Sequence, residues 1–119
     1  MAAIENRGRR FIEPSIASIG AAAAASAAAI PDDLRVSIVD APGEAAYQLA
    51  AFTYILVYQE MPDQARAETL ARFLWWAVHD GQRFCAPLDY APLPPALVAK
   101  VEAKLQRLRS AGRAVLGAP

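Results

Sequence analysis

Few residues in this 119-residue chain have the chemistry of a reaction centre, and they cluster in one short stretch. His79 is the single histidine and Cys85 the single cysteine, with Asp80 and Asp89 nearby. A Cys-His pair can act as an activated nucleophile when the two side chains meet. Here the pair is six residues apart at the end of an apolar helix pattern, which does not by itself bring them together. His79, Asp80, Cys85 and Asp89 also form a poor metal set, since a structural or catalytic metal asks for three or four convergent ligands. The expectation is therefore no catalysis, no metal and no cofactor. His79 reads as a helix C-terminal residue favoured by the helix dipole, and Cys85 as a small apolar filler. Arg7, Arg9 and Arg10 could attract an anion, but they read as solvated surface. No glycine-rich phosphate loop occurs.

The bulk composition narrows the classes further. Lysine plus arginine equals aspartate plus glutamate at 12 each, which argues against a nucleic-acid partner with its need for a basic face. The length suits one domain. A hydrophobic content of 55% excludes disorder and suggests more apolar surface than so short a chain buries by itself. A single cysteine excludes an internal disulfide. No apolar run has the length of a membrane helix. Arg9-Arg10-Phe11-Ile12 before an alanine-rich run has the outline of a twin-arginine export signal. Glu13 and Pro14 interrupt it where the apolar region should begin, so the alanine run is expected to be a helix of the folded chain.

The elements that position these residues follow in order. Asn6-Arg7-Gly8 is a turn and residues 9–13 an extended piece. Pro14 and Ser15 start a helix, with Ile16, Ile19, Ala23 and Ala27 facing inward and Pro31 beyond its end. Residues 34–39 alternate Leu34, Val36 and Ile38 against Arg35 and Ser37, the pattern of a half-buried strand. After the turn Asp40-Ala41-Pro42-Gly43, residues 46–58 are rich in β-branched and aromatic side chains. Residues 52–58 are apolar on both sides, as in a strand covered on both faces. Asp63 caps a helix over 66–85 whose stripe is Leu70, Phe73, Leu74, Ala77, Val78, Gly81, Phe84 and Cys85. Trp75 and Trp76 flank that stripe. Gly81, on the buried face, marks a close approach, a kink or an end, and Pro87 closes the helix near Cys85. Residues 90–95 are a stiff connector to a last helix over 95–110, and residues 111–119 a flexible tail. The expected order is helix, strand, strand, helix, helix, an α/β chain with too few strands for a complete sheet. Phe52, Tyr54, Leu56, Tyr58, Phe73, Trp75, Trp76 and Tyr90 are expected to pack against a partner or a neighbouring lobe, making a homo- or hetero-oligomer.

Several short motifs stand along the chain at particular separations, none of them an internal repeat. They are Asn6 and Gly8, Pro14-Ser15, Pro31-Asp32-Asp33-Leu34-Arg35-Val36-Ser37, Ala41-Pro42-Gly43, Ala46-Tyr47, Phe52-Thr53, Leu56-Val57-Tyr58, Phe73-Leu74 with Trp76-Ala77, Gly81-Gln82, and Leu88 with Tyr90-Ala91-Pro92-Leu93-Pro94. Together, over residues 4–108, they resemble the C-terminal third of the periplasmic phosphate-binding protein of the phosphate-specific ABC transporter. Gln48 replaces a usual proline, Trp75 a usual polar residue, and Cys85 is unusual for the family. The resemblance implies part of a type II periplasmic-binding-protein fold, two α/β lobes about a hinge, with this segment contributing to both over residues 1–110. It implies a periplasmic location, although the chain carries no convincing signal peptide of its own. The family's phosphate contacts come mainly from a Thr-Phe loop and a Ser-Gly-Thr segment. Neither is found here, as Ser18, Ser26, Ser37 and Ser110 are not followed by Gly-Thr. No phosphate-binding residue is therefore assigned. The implied partner is the rest of such a protein or another chain, with inorganic phosphate and the permease engaged only by the complete protein. The alternative is a non-catalytic interaction subunit that buries the same apolar strand and helices against a partner.

Overall fold

Three helices carry the fold in the computed structural model, which describes residues 2–117. The chain opens with a small antiparallel pair, β1 (Ile4–Glu5) and β2 (Phe11–Ile12), in which Ile4 faces Ile12. Helix α1 (Ile16–Ser26) starts as expected at Ser15. The Ser15 side chain accepts from the Ser18 amide while the Ser18 hydroxyl accepts from the Ser15 amide, a reciprocal cap. A 3-10 turn (Ala27–Ala29) ends it before Pro31. The inward face is Ser18, Ala22, Ala23 and Ser26, continued by Ala27, with Ile19 at its edge as expected and only Ile16 of the expected stripe exposed. Alanine and serine on that face let other segments approach closely.

Helix α2 (Gln64–Val78) starts on the Asp63 carboxylate, which accepts from the Arg66 amide. It stops seven residues before Cys85, because His79 leaves helical geometry (φ −116°, ψ −104°). Two 3-10 segments, Asp80–Phe84 and Ala86–Leu88, carry the chain on to Asp89, which is left-handed at φ 61°. Helix α3 (Pro95–Leu105) follows the proline connector and packs on α2. A second antiparallel pair, β3 (Arg109–Ser110) and β4 (Arg113–Ala114), ends the chain. The stretch read as a flexible tail thus folds back, with Val115 and Leu116 against the second core. Residues 118 and 119 of that stretch lie outside the described residues.

Neither expected long strand forms. Over 34–39 the alternation is real, with Ile38 buried, Leu34 and Val36 half-buried, and Arg35 and Ser37 exposed. The segment nevertheless runs as irregular coil against α1, left-handed at Leu34 (φ 64°), with no ladder partner among the described residues. Over 46–58, Ala46 and Ala50 are buried and Phe52 is half-buried, after which the chain rises to the surface. A strand exists only by pairing, and the described elements offer no neighbouring strand long enough. The architecture is therefore helices with two short hairpins, mixed α/β in class, in place of helix, strand, strand, helix, helix.

Two separate cores hold it. Ala22, Ala23, Ile38, Ala41, Ala46 and Ala50 make the first, with Ile19, Val36 and Phe52 at its edge. Ala71, Leu74, Leu105 and Leu108 make the second, with Val57, Leu70, Trp75 and Val101 among those packed around it. The Lys100 ammonium links them by donating to the Ile30 carbonyl. The chain spans 52 × 28 × 22 Å with a radius of gyration of 16.4 Å, against about 13.5 Å for a closed domain of this length. It exposes 7955 Å², against about 6,200 Å² for a closed monomer of this mass.

Candidate functional site

The residues with reactive chemistry are engaged in structure. The His79 ring stacks on Trp75 at 4.5 Å between centroids. Its Nδ1 lies 2.7 Å from the Trp75 carbonyl oxygen, and its Nε2 lies 2.7 Å from Glu102 Oε1. Both partners are acceptors, so only the doubly protonated imidazolium satisfies both contacts. The hydrogen bond to the Trp75 carbonyl, and then the Glu102 carboxylate, raise its pKa above the ordinary 6.5 against the opposing effect of burial. Nothing on the ring is left to activate the Cys85 thiol. His79 instead braces α2 to α3, and its place at the C-terminal end of α2 suits a cation. Among the described residues no three His, Cys, Asp or Glu side chains converge on a metal-sized space.

The arginines near the N-terminus each meet a carboxylate. Arg7 pairs with Asp40 at 2.9 Å, Arg9 with Glu5 at 3.3 Å and Arg10 with Glu44 at 3.0 Å. These exposed pairs offset the positive charge that would draw an anion.

The family-like motifs prove to be joints. Asn6 is buried at 3% exposure, and its Nδ2 lies 2.8–3.2 Å from the carbonyls of Gly43, Glu44 and Ala46. Its Oδ1 accepts from the amides of Gly8 and Arg10. One side chain thus ties the first hairpin to the Pro42–Ala46 turn across almost 40 positions. A side chain on Gly8 would meet Asn6 Oδ1 at 3.2 Å and the Glu44 backbone at 3.3 Å. Gly81-Gln82 is the second joint. A Cβ at Gly81 would sit 3.0 Å from the Trp76 carbonyl and 3.2 Å from its ring, the close approach that the sequence suggests. Gln82 accepts from the Leu93 amide and donates to the Val78 carbonyl, clamping the connector onto the end of α2.

Two exposed surfaces are apolar. Leu56 is 95% exposed and Tyr58 84%, with Ile55 at 63% just before them and Val57 between them turned toward the second core. Tyr54 is half exposed, its hydroxyl donating to the Val36 carbonyl, and its ring meets Phe52 edge-on at 6.3 Å. No backbone hydrogen bond joins residues 51–58 to other backbone groups among the described residues. A second surface lies along α2, where Phe73 and Trp76 are 6.0 Å apart and Trp76 and Phe84 are again 6.0 Å apart. Trp75 belongs to neither surface, being half-buried in the second core, and Tyr90 is exposed on the connector. Ile55 and Phe84 complete the two surfaces; the sequence placed Ile55 in the apolar run and Phe84 on the buried stripe of the helix, not among the side chains packing on a partner, and Phe84 is instead half exposed. The His79–Glu102 brace had no signal in the sequence, spanning 23 positions.

No protein-family model matches the chain. Among curated proteins it is 34% identical over 101 residues to the phosphate-binding protein PstS of Xylella fastidiosa, covering 85% of this chain and 28% of that protein. It is 36% identical over 116 residues to the phosphate-binding protein PstS of Methanocaldococcus jannaschii, with the same coverage. It is 26% identical over 103 residues to that of Pasteurella multocida, covering 87% of this chain and 30% of the relative. The chain spans under a third of the length of these relatives. All three are named as binding proteins rather than enzymes, in agreement with the non-catalytic reading.

Proposed function

We propose that this chain is a lobe-building segment of a periplasmic solute-binding protein for phosphate uptake by an ABC transporter, and that it supplies scaffold rather than phosphate contacts. The similarity to phosphate-binding proteins along 85% of the chain carries the proposal. The roles of Asn6, Gly81 and Gln82 support it, because the motifs shared with that family serve here as backbone joints. The paired arginines offer no desolvated cation for a phosphate, and a dehydrated anion without partners is costly by several kcal/mol. Phosphate and the permease are engaged by the complete protein, which has the two-lobed type II fold. Phe52, Tyr54, Leu56, Tyr58, Phe73, Trp76 and Tyr90 are then packing positions for the rest of that protein, and Trp75 an internal one. Calorimetric titration of the chain with inorganic phosphate tests the reading. No saturable heat at micromolar phosphate is expected, and binding should return when the remaining segments are supplied on a co-expressed polypeptide. Tight binding by the chain without them would refute the scaffold role.

A second reading, a non-catalytic interaction subunit derived from the same fold, is favoured by one observation. The most exposed large apolar side chain, Leu56, lies in the segment that also lacks backbone partners.

A further inference from the structure

We infer that His79 is a pH-operated latch between α2 and α3. As an imidazolium it holds the Glu102 side chain; on losing its proton it stays on the Trp75 carbonyl and releases Glu102. Both partners of the ring belong to this chain, and the inference does not rest on phosphate transport.

Nδ1 faces the Trp75 carbonyl and Nε2 the Glu102 carboxylate, each at 2.7 Å. A neutral imidazole carries one N–H, so deprotonation turns one of these pairs into two acceptors in contact, and that pair must part. The surroundings of Trp75 decide which. The His79 amide donates to the Trp76 carbonyl, so the ring gives the Trp75 carbonyl the bond that an amide four residues on supplies in a continuing helix. The ring also stacks on the Trp75 indole, with 4.5 Å between centroids and 22° between planes. Leaving the carbonyl would forfeit both contacts. Glu102 is held by less. Its carboxylate makes no other hydrogen bond or ion pair among the described residues, and a third of its side chain meets solvent, so it can turn into water and keep its charge hydrated. The ring that remains is the Nδ1–H tautomer.

Charged neighbours set the pH at which the latch opens. Glu102 from α3 and Asp80 from the 3-10 segment after α2 face the ring, and Arg72 of α2 lines the same cleft. Gln106 at the end of α3 and Leu116 of the terminal segment line it without charge. The Trp75 carbonyl, then Glu102 and Asp80, raise the ring's pKa above the ordinary 6.5 against the opposing effect of burial. The ring is a third exposed, so protons reach it from solvent. Trp75, Val101 and Leu105 pack in the second core and do not titrate. α2 and α3 therefore stay together after release, and only the polar brace at their edge opens.

His79 is the single histidine, so one set of ring resonances reports the latch. The test is a nuclear magnetic resonance titration of the purified chain, its ring nitrogens labelled, from about pH 5 to about pH 9. A single midpoint above 6.5 is expected. Above it the ring nitrogens should report the Nδ1–H tautomer, cross-relaxation between the ring and the Glu102 side chain should vanish, and helical circular dichroism should hold. Glu102→Gln should lower the midpoint and keep the contact on both sides of it, because an amide can turn either its oxygen or its nitrogen toward Nε2. A native-chain midpoint at or below 6.5 overturns the proposal. So does an Nε2–H tautomer that stays on Glu102 at high pH, a loss of helix at the midpoint, or a midpoint that Glu102→Gln leaves unmoved. The native-chain readings decide the matter even where the variant fails to fold.

Discussion

Single side chains bridge distant parts of this chain, and two of them dominate. His79 holds α2 to α3 through contacts that need its cationic form. Because its folded pKa is raised above 6.5, its contribution is fully present below the unfolded value and is lost as pH rises through the folded one. His79→Gln should therefore lower the melting temperature more at about pH 5.5 than at about pH 9. Glu102→Gln should flatten the same profile, and thermal unfolding of both variants across that range checks it. Asn6 acts without titrating. Asn6→Ala would remove five hydrogen bonds, one of them to the buried Ala46 carbonyl, at a cost of about 1–3 kcal/mol. Chemical denaturation should show that loss, while Asn6→Asp, which keeps the acceptor and removes the donors, should fall between.

Helix ends set the element scale. α1 begins at the Ser15–Ser18 pair, whose Ser18 hydroxyl also donates to the Glu13 carbonyl. Ser15→Ala removes one cap acceptor and should destabilise by about 1 kcal/mol in denaturant titration. The end of α2 is built from side chains. The His79 ring faces the Trp75 carbonyl, the His79 amide donates to Trp76, and Gln82 Nε2 donates to Val78. Carbonyls that a longer helix would have satisfied are met this way, which is why α2 stops at Val78 although Pro87 is the first obligatory break.

At the scale of the whole molecule the two cores are unequal. Five of the six buried residues of the first are alanine, whereas three of the four in the second are leucine. Buried leucine contributes far more transfer free energy than alanine. The second core, with α2 and α3, should be the more persistent unit. Native-state amide hydrogen exchange is expected to show slower exchange in Ala71–Leu74 and in the middle of α3 than in α1. Equal protection in all three helices would mean that one cooperative unit spans both cores.

The sequence by itself determined what depends on neighbours along the chain. Ser15, Asp63 and Pro95 marked the three helix starts, and Gly81 its close contact. The period-two alternation at 34–38 foretold which side chains turn inward, and the spaced motifs foretold the likeness to phosphate-binding proteins. Tertiary structure alone decided whether an extended segment becomes a strand. Alternation and β propensity orient side chains, but a ladder needs a second strand running alongside, and among the described residues 34–39 and 46–58 pair with none, their backbone meeting only isolated partners such as Ser18 for Tyr47 and Asp40 for Gln48. It alone decided the second partner of His79 too, because the Glu102 carboxylate that adds to the raising effect of the local Trp75 carbonyl lies 23 positions away on another helix. Where a side chain's partner is set by packing rather than by spacing, no local pattern announces it.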